Sequence, residues 1–301
     1  MGGIHFEADG GVTIVTGTLD FGQGHWTAFA QVLVSKLGVP FDRIRLVQGD
    51  SDRLIAGNGT GGSKSIMSSG KAIIEAGDLV IEKGRQIAAH VLEAGVGDIA
   101  FASGRFSVAG TDRGIDIMDL AGRLRSGLAL PETLPQTLDV DHVIKPSESA
   151  YPNGCHICEV EIDPDTGIIT VDRYTAVNDF GVLINPMLVE GQMHGGVAQG
   201  IGQIIHELTS FDSSGQLLTG AFTDYTMPRA DDVPFIAFAS HATPATTNPL
   251  GAKGCGEAGC AGSMPSVMSA IVDALSPYGV ANIDMPATPL KVWQIIHGNR
   301  N

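Results

Sequence analysis

The sequence predicts a mixed α+β (α/β) fold built from two βα-containing subdomains, and three observations carry that expectation. Strand-like, Gly-rich and helix-like stretches alternate through the first hundred residues in a β-loop-α-β-loop-α order. A hairpin pattern then runs from His156 to Ala176 around the turn Pro164-Asp165-Thr166-Gly167. Helix-period stretches follow at 186–206 and 265–275. The weakly patterned segment between these blocks holds Pro131-Glu132-Thr133-Leu134-Pro135, which reads as a linker. It divides the chain into a first subdomain, 1–135, and a second, 136–301.

Gly11 to Gly17 reads as a β-branched strand bounded by glycine. A turn, Asp20-Phe21-Gly22-Gln23-Gly24, leads into a helix from Trp26 to Leu37, with Phe29, Ala30, Leu33, Val34 and Leu37 on one face. Arg43 to Gln48 alternates as a strand, with Ile44 and Leu46 sharing a side. After a loop from Gly49 to Ser65, a long helix is expected over Lys71–Val96, and a shorter one over Ile115–Leu124. In the second subdomain, strands His156–Asp163 and Ile168–Ala176 form the hairpin. Pro186 to His206 reads as a helix with Pro in its first turn. Its four glycines, Gly191, Gly195, Gly196 and Gly200, are unfavourable in a helix and predict close packing or ligand approach there. Ser210 to Ser240 is mixed and strand-like, Pro265 to Leu275 is a helix turning Val267, Ala270, Ile271 and Ala274 inward, and Leu290 to His297 is a short last helix.

A formal charge of −15 with no Lys/Arg run speaks against nucleic-acid binding. Met1 to Phe6 lacks the basic and apolar regions of a signal peptide, and the apolar runs are too broken for a membrane span. Four cysteines are too few for a disulfide scaffold, so a cytoplasmic location is the expectation.

Several segments have the composition of sites. Asn58-Gly59-Thr60-Gly61-Gly62-Ser63-Lys64-Ser65 precedes a helix, where successive amides can form an anion nest; a ligand-free glycine turn is the alternative. The phosphate-loop spacing Gly-x-x-x-x-Gly-Lys-Ser/Thr is absent from it. Gly22-Gln23-Gly24 likewise permits close ligand approach or is a plain turn. Cys155 and Cys158, three apart in a strand, point to opposite faces and do not share a metal. Glu257, in Gly256-Glu257-Ala258-Gly259 just before an apolar helix, is either a partly desolvated general base or a loop carboxylate at a helix N-terminus. Cys255 and Cys260 flank it with nothing to mark them as reactive, and His194 and His206 lack ligand spacing. A hydrolase using Glu257 with either histidine finds no Gly-x-Ser-x-Gly nucleophile motif in its support.

Taken together, Leu19-Asp20-Phe21-Gly22-Gln23-Gly24-His25, Gly59 to Ser65, Glu190 to Gly200, Lys253 to Gly259 and Asp284-Met285-Pro286-Ala287-Thr288-Pro289 stand in an order that resembles one family. It is the xanthine oxidase family, in particular the carbon monoxide dehydrogenase and aldehyde oxidase-like large subunits. The resemblance spans nearly the whole chain and implies the C-terminal molybdenum-binding domain of a molybdenum hydroxylase. It implies a molybdenum cofactor, molybdopterin cytosine dinucleotide, contacted by Gln23, Gly24, Gly62, Ser63, Lys64, Ser65 and Gln192. Glu257 matches the glutamate beside molybdenum, with the implied role of base in hydroxylating an aldehyde or N-heterocycle; no metal ligand is assigned to this chain.

The family's earlier half, with its Gly-Gly-Gly-Phe-Gly-Gly-type loop, is not in the sequence. Four scattered cysteines cannot hold two iron–sulfur clusters, and no flavin domain is visible. Iron–sulfur clusters and FAD are therefore expected only on partner chains. The expected partners are an N-terminal-half molybdopterin subunit, an iron–sulfur subunit and an FAD subunit, and the isolated chain is expected to be inactive. A truncated, metal-free fragment or a non-catalytic phosphate-binding domain is the alternative.

Overall fold

The computed structural model describes residues 1–145 and 148–298; residues 146–147 and 299–301 lie outside that description. It is a mixed helix-and-sheet protein that divides into two compact units. The first comprises Met1–Ala150 with Val182–Asn185 and Pro244–Lys253, and the second comprises Tyr151–Gly181, Pro186–Thr243 and Gly254–Asn301.

In the first unit the elements run β1 (Gly2–Phe6), β2 (Val12–Thr16), α1 (His25–Leu37), β3 (Ile44–Val47), α2 (Ser65–Val91), β4 (Ile99–Ala102), β5 (Arg105–Val108), β6 (Gly114–Asp116), α3 (Ile117–Arg125) and β7 (Val140–His142). One sheet has the order β3-β2-β1-β7. β2 and β3 are parallel, so α1 is the crossover of a βαβ unit. β1 lies antiparallel to both β2 and β7, which keeps residues 136–150 in the first unit. A separate meander, β4-β5-β6, sits at the far end of α2. The core gathers Ile4 and Ile14 from the sheet, Phe29, Leu33 and Leu37 from α1, and Ile73, Val80 and Ile87 from α2. These are the apolar positions expected on α1, with Val32 added and Val34 only half-buried.

The second unit contains β8 (Asn153–Ile162), β9 (Ile169–Asp179), α4 (Pro186–Ile201), β10 (Ile236–Ser240), α5 (Ala258–Ala274) and α6 (Pro289–Gly298). Its sheet order is β10-β9-β8, with β10 parallel and β8 antiparallel to β9. Along β9, Ile169, Val171, Tyr174, Ala176 and Asn178 are buried. A bulge at Glu159/Val160 lets Asp172 and Arg173 both stay exposed without reversing that face. The expected turn at 164–167 is tucked against α6: a Cβ on Gly167 would overlap the Pro289 carbonyl and come within 2.7 Å of the Trp293 nitrogen.

Several boundaries differ from the sequence expectation. α2 starts at Ser65 rather than Lys71, and Gly70, just ahead of the expected start, is a packing site where a Cβ would collide with the Leu250 side chain. It stops at Val91 because Glu93 turns left-handed, with φ 47°, and Ala94 N–H closes back on the Ala89 carbonyl at 2.9 Å. The stretch 115–124 opens as strand β6 before α3. α4 ends at Ile201, and Gly202–His206 forms a π-helical turn. Between 210 and 240, β10 is the single strand among the described residues, beside an isolated bridge of Phe211 with Leu217. α5 starts at Ala258, so Pro265, expected to open the helix, lies inside it. Of the helices among the described residues, none is long and apolar enough to cross a membrane.

Candidate functional site

In the first unit, two glycine loops are tied to each other. The chain crosses itself at Gly17 and Gly57, where a Cβ on Gly17 would stand 2.5 Å from the Ala56 carbonyl oxygen and 2.6 Å from Gly57 Cα. The amides of Asn58 and Gly59 both donate to the Gly17 carbonyl at 3.2 Å. Thr60 Oγ1 then clamps Leu19, donating to its carbonyl at 2.7 Å and accepting its N–H at 3.0 Å. Ser65 Oγ donates to Thr60 Oγ1 at 3.3 Å.

The loop before α1 is held by Asp20. Its carboxylate accepts the Gly22 amide at 2.7 Å and the His25 amide, the first of α1, at 2.8 Å. Burial of Asp20 opposes ionisation, but those amides and the nearby His25 outweigh it and hold the carboxyl below its usual value. Gln23 is half-buried and engaged within its own loop: Oε1 accepts the Phe21 amide, and Nε2 donates to the Leu19 carbonyl at 3.2 Å. Gly24 is left-handed, φ 82°, as the residue before α1.

The second loop ends at the N-terminus of α2, a helix of 27 residues with no acidic residue in its first turn. Gly59 and Gly62 are left-handed, φ 73° and 65°, and so is Ser63 at φ 52°. Cβ atoms added at Gly59, Gly61 and Gly62 would meet nothing within 4 Å, so this backbone is open on its outer side. Ser63 and Ser65 are half-buried and Lys64 is exposed. First-turn amides have no acceptor inside their helix, and they carry the positive end of its dipole. A helix N-terminus reached through open glycine backbone, with serine hydroxyls and one ammonium and no carboxylate in the loop itself, fits a phosphate-bearing anion. Gln23, Gly24 and Gly62 to Ser65 thus belong to one stapled pair of loops. Asp20 and Thr60, which hold the pair, were legible only as members of the motifs.

In the second unit, α4 packs on α5 through glycine. A Cβ on Gly196 would lie 2.9 Å from both Gly259 Cα and the Cys260 nitrogen, and a Cβ on Gly200 would overlap the Ser263 hydroxyl. Gly191 and Gly195 face open space, so the four helical glycines divide into a packed pair and an open pair. Gln192 lies half-buried beside the open pair. Glu257 is the residue before α5, with Ala261 N–H donating to its carbonyl at 2.9 Å. Its side chain is exposed, so the small residues around it do not supply the desolvation expected of them. α5 is seated on β8, where a Cβ on Gly262 would collide with the His156 ring.

The cysteines divide as the strand geometry requires. Cys155 is exposed and Cys158 half-buried, on opposite faces of β8. Burial, with some help from Glu159, pushes the Cys158 thiol up to about 11, and burial alone does the same for Cys255. Burial first, then Glu257 and Glu207, raises Cys260. Three of the four are therefore poor thiolates at neutral pH. His194 and His206 stand 3.9 Å from Glu190 and 3.7 Å from Asp232. Among the described residues no group of three or more His, Cys, Asp or Glu side chains is placed to hold a metal ion.

Residues 2–234 match the model of the molybdopterin cofactor-binding domain family. The carbon monoxide dehydrogenase large chain of Hydrogenophaga pseudoflava is 37% identical over 97% of this chain and 36% of its own length. The nicotine 6-hydroxylase large subunit of Paenarthrobacter nicotinovorans is 36% identical over 98% of this chain and 36% of its own. Among solved structures, quinoline 2-oxidoreductase from Pseudomonas putida 86 superposes with a TM-score of 0.87 at 34% identity, covering 98% of this chain and 38% of that one. Reconstituted CO dehydrogenase from Oligotropha carboxidovorans gives 0.88 at 32%, over 98% and 36%. The chain thus spans little more than a third of the length of the relatives it matches.

Proposed function

This chain belongs to the molybdopterin cofactor-binding family of molybdenum hydroxylase large subunits, and we propose that it holds molybdopterin in its cytosine dinucleotide form. The observation that carries the proposal is the stapled pair of glycine loops. A dinucleotide brings a pyrophosphate, and the N-terminus of α2 at Ser65, entered through a loop whose backbone is open at Gly59, Gly61 and Gly62, is suited to bind one. Lys64 adds charge and the Ser63 and Ser65 hydroxyls line the loop, Ser65 turning its proton from Thr60 to the anion, while Gln23 and Gly24 bring a second turn. In the second unit, Gln192 is the side chain on α4 assigned to the pterin: both donor and acceptor, it stands where Gly191 and Gly195 keep the helix surface open.

When bound, the molybdenum group supplies the two-electron oxidation. The protein's part is to bind and orient that group, to exclude water, and to hold a base. Glu257 is proposed as the base, taking up the proton released as an oxygen nucleophile attacks an electron-poor carbon. Its exposure in this chain matches that role only if the rest of the large subunit, which the relatives carry outside the matched third, covers the carboxylate. The activity, oxidative hydroxylation of an aldehyde or N-heterocycle, thus belongs to the assembled enzyme. The proposed partners are the N-terminal half of the large subunit, an iron–sulfur subunit and an FAD subunit that carry electrons away, in the cytoplasm.

The base assignment is tested in the assembled enzyme with Glu257→Gln, which keeps the side chain's shape. Turnover on an aldehyde and N-heterocycle panel should fall by about 10²–10⁴-fold, the usual contribution of a positioned general base, with molybdenum content unchanged. Full turnover in that variant removes Glu257 from the mechanism.

A further inference from the structure

Beneath the two glycine loops lies a cluster of buried polar side chains that no motif contains as a unit. Thr16, Thr18, His25 and Ser69 are half of the eight buried polar or charged residues among those described, and all four gather here with Gln48. Gln48 Nε2 donates to Thr16 Oγ1 and Thr18 Oγ1, both at 2.8 Å, and stands 3.4 Å from His25 Nδ1. Thr18 Oγ1 is 3.2 Å from Thr16 Oγ1 and 3.2 Å from Ser69 Oγ. The His25 ring stacks on Phe29 at 4.8 Å. Burial holds its pKa below the usual imidazole value, against the opposing pull of Asp20 and Gln48.

Each member sits at an end of a loop-bearing segment. Thr16 closes β2, and Thr18 precedes Leu19, the residue clamped by Thr60. His25 opens α1, Gln48 follows β3, and Ser69 lies in the second turn of α2. Gln48 Oε1 is buried with no hydrogen-bond partner among the described residues, while its Nε2 carries the contacts that join the cluster. Directional bonds in a dry site fix one geometry where apolar contacts would tolerate several.

We infer that Gln48, with Thr18 and His25, is a positioning unit that sets the spacing of the Gly22–Gly24 and Gly59–Ser65 loops for the pyrophosphate-bearing cofactor. It touches no ligand; it acts through Leu19, Asp20 and the start of α2. The inference rests on the reading that these loops hold the dinucleotide.

The test uses the assembled enzyme and measures molybdenum and pterin per chain, the rate at which both are lost on dialysis, and the melting temperature. Gln48→Leu removes the bridging amide together with its orphaned oxygen. It should lower cofactor content several-fold and speed its loss, with a melting temperature close to wild type. Thr18→Val should do the same, and Thr18→Ser, which restores the hydroxyl, should recover full loading. If Gln48→Leu fails to fold, the Thr18 pair decides alone. Wild-type loading in Gln48→Leu and Thr18→Val, or equal loss in Thr18→Val and Thr18→Ser, overturns the inference. A folded wild-type enzyme without molybdenum and pterin overturns instead the loop reading on which it rests.

Discussion

Replacing Gly196 by alanine separates packing from propensity. The added methyl would face Gly259 Cα and the Cys260 nitrogen, each 2.9 Å away, and both are backbone atoms of α5 that cannot rotate aside. Ordinary carbon contacts begin near 3.5 Å, so α4 and α5 must separate by several tenths of an ångström. Overpacking of this kind costs about 1–3 kcal/mol, and the upper end applies because backbone opposes backbone. Alanine returns about 1 kcal/mol of helix propensity. The net is about 2 kcal/mol of destabilisation, or roughly 4–8 °C in melting temperature for a domain of this size. One turn-face away, Gly195→Ala meets nothing within 4 Å and keeps only the propensity gain, roughly 2–4 °C upward. Thermal unfolding followed by circular dichroism on the two variants reads both signs. Equal shifts in the same direction would refute the reasoning that the α4 glycines are divided between a packed and an open face.

Two further predictions concern titration. His25 and His156 both have pKa values held below the ordinary imidazole value of 6.5, chiefly by burial. Between those lowered values and 6.5 the unfolded chain binds more protons than the folded one, so stability falls as pH drops through that window and levels off below it. Melting temperature should therefore decline on acidification from neutrality, and His156→Gln should flatten part of the decline; a melting temperature that rises on acidification contradicts the assignment. For the thiols, a maleimide at neutral pH should modify exposed Cys155 first and leave Cys255 and Cys158, both pushed up to about 11, slow to react. Peptide mapping reads the order, and fast labelling of Cys255 contradicts it.

The elements legible in the sequence are those whose period and punctuation agree. α1 announces itself by its apolar stripe, and the β8–β9 hairpin by Pro164 to Gly167. The errors fall where a local rule was overridden by packing. Lys71 and Pro265 read as helix starts, yet both lie inside helices, and Gly70 beside Lys71 leaves the space that Leu250 fills. β1 carries little strand signal because it opens on Gly2-Gly3; it is held by pairing on both edges, with β2 and with the distant, three-residue β7. The candidate loops were readable because glycine marks open backbone directly. The roles of Thr60, Asp20 and Gln48 are not legible in local sequence, since they arise from partners 41, 5 and 32 residues away. The exposure of Glu257 has the same origin: burial depends on which chain surrounds a side chain, and composition beside it does not report that.

A molybdenum pterin held on the glycine loops of this chain is the feature on which the proposed function stands. Its most direct test is metal and nucleotide analysis of the purified assembled enzyme. Molybdenum and pterin should be present in equal amounts, one of each per copy of this chain, and acid hydrolysis should release cytidine monophosphate in the same amount. A folded, fully assembled enzyme containing neither molybdenum nor pterin would contradict it.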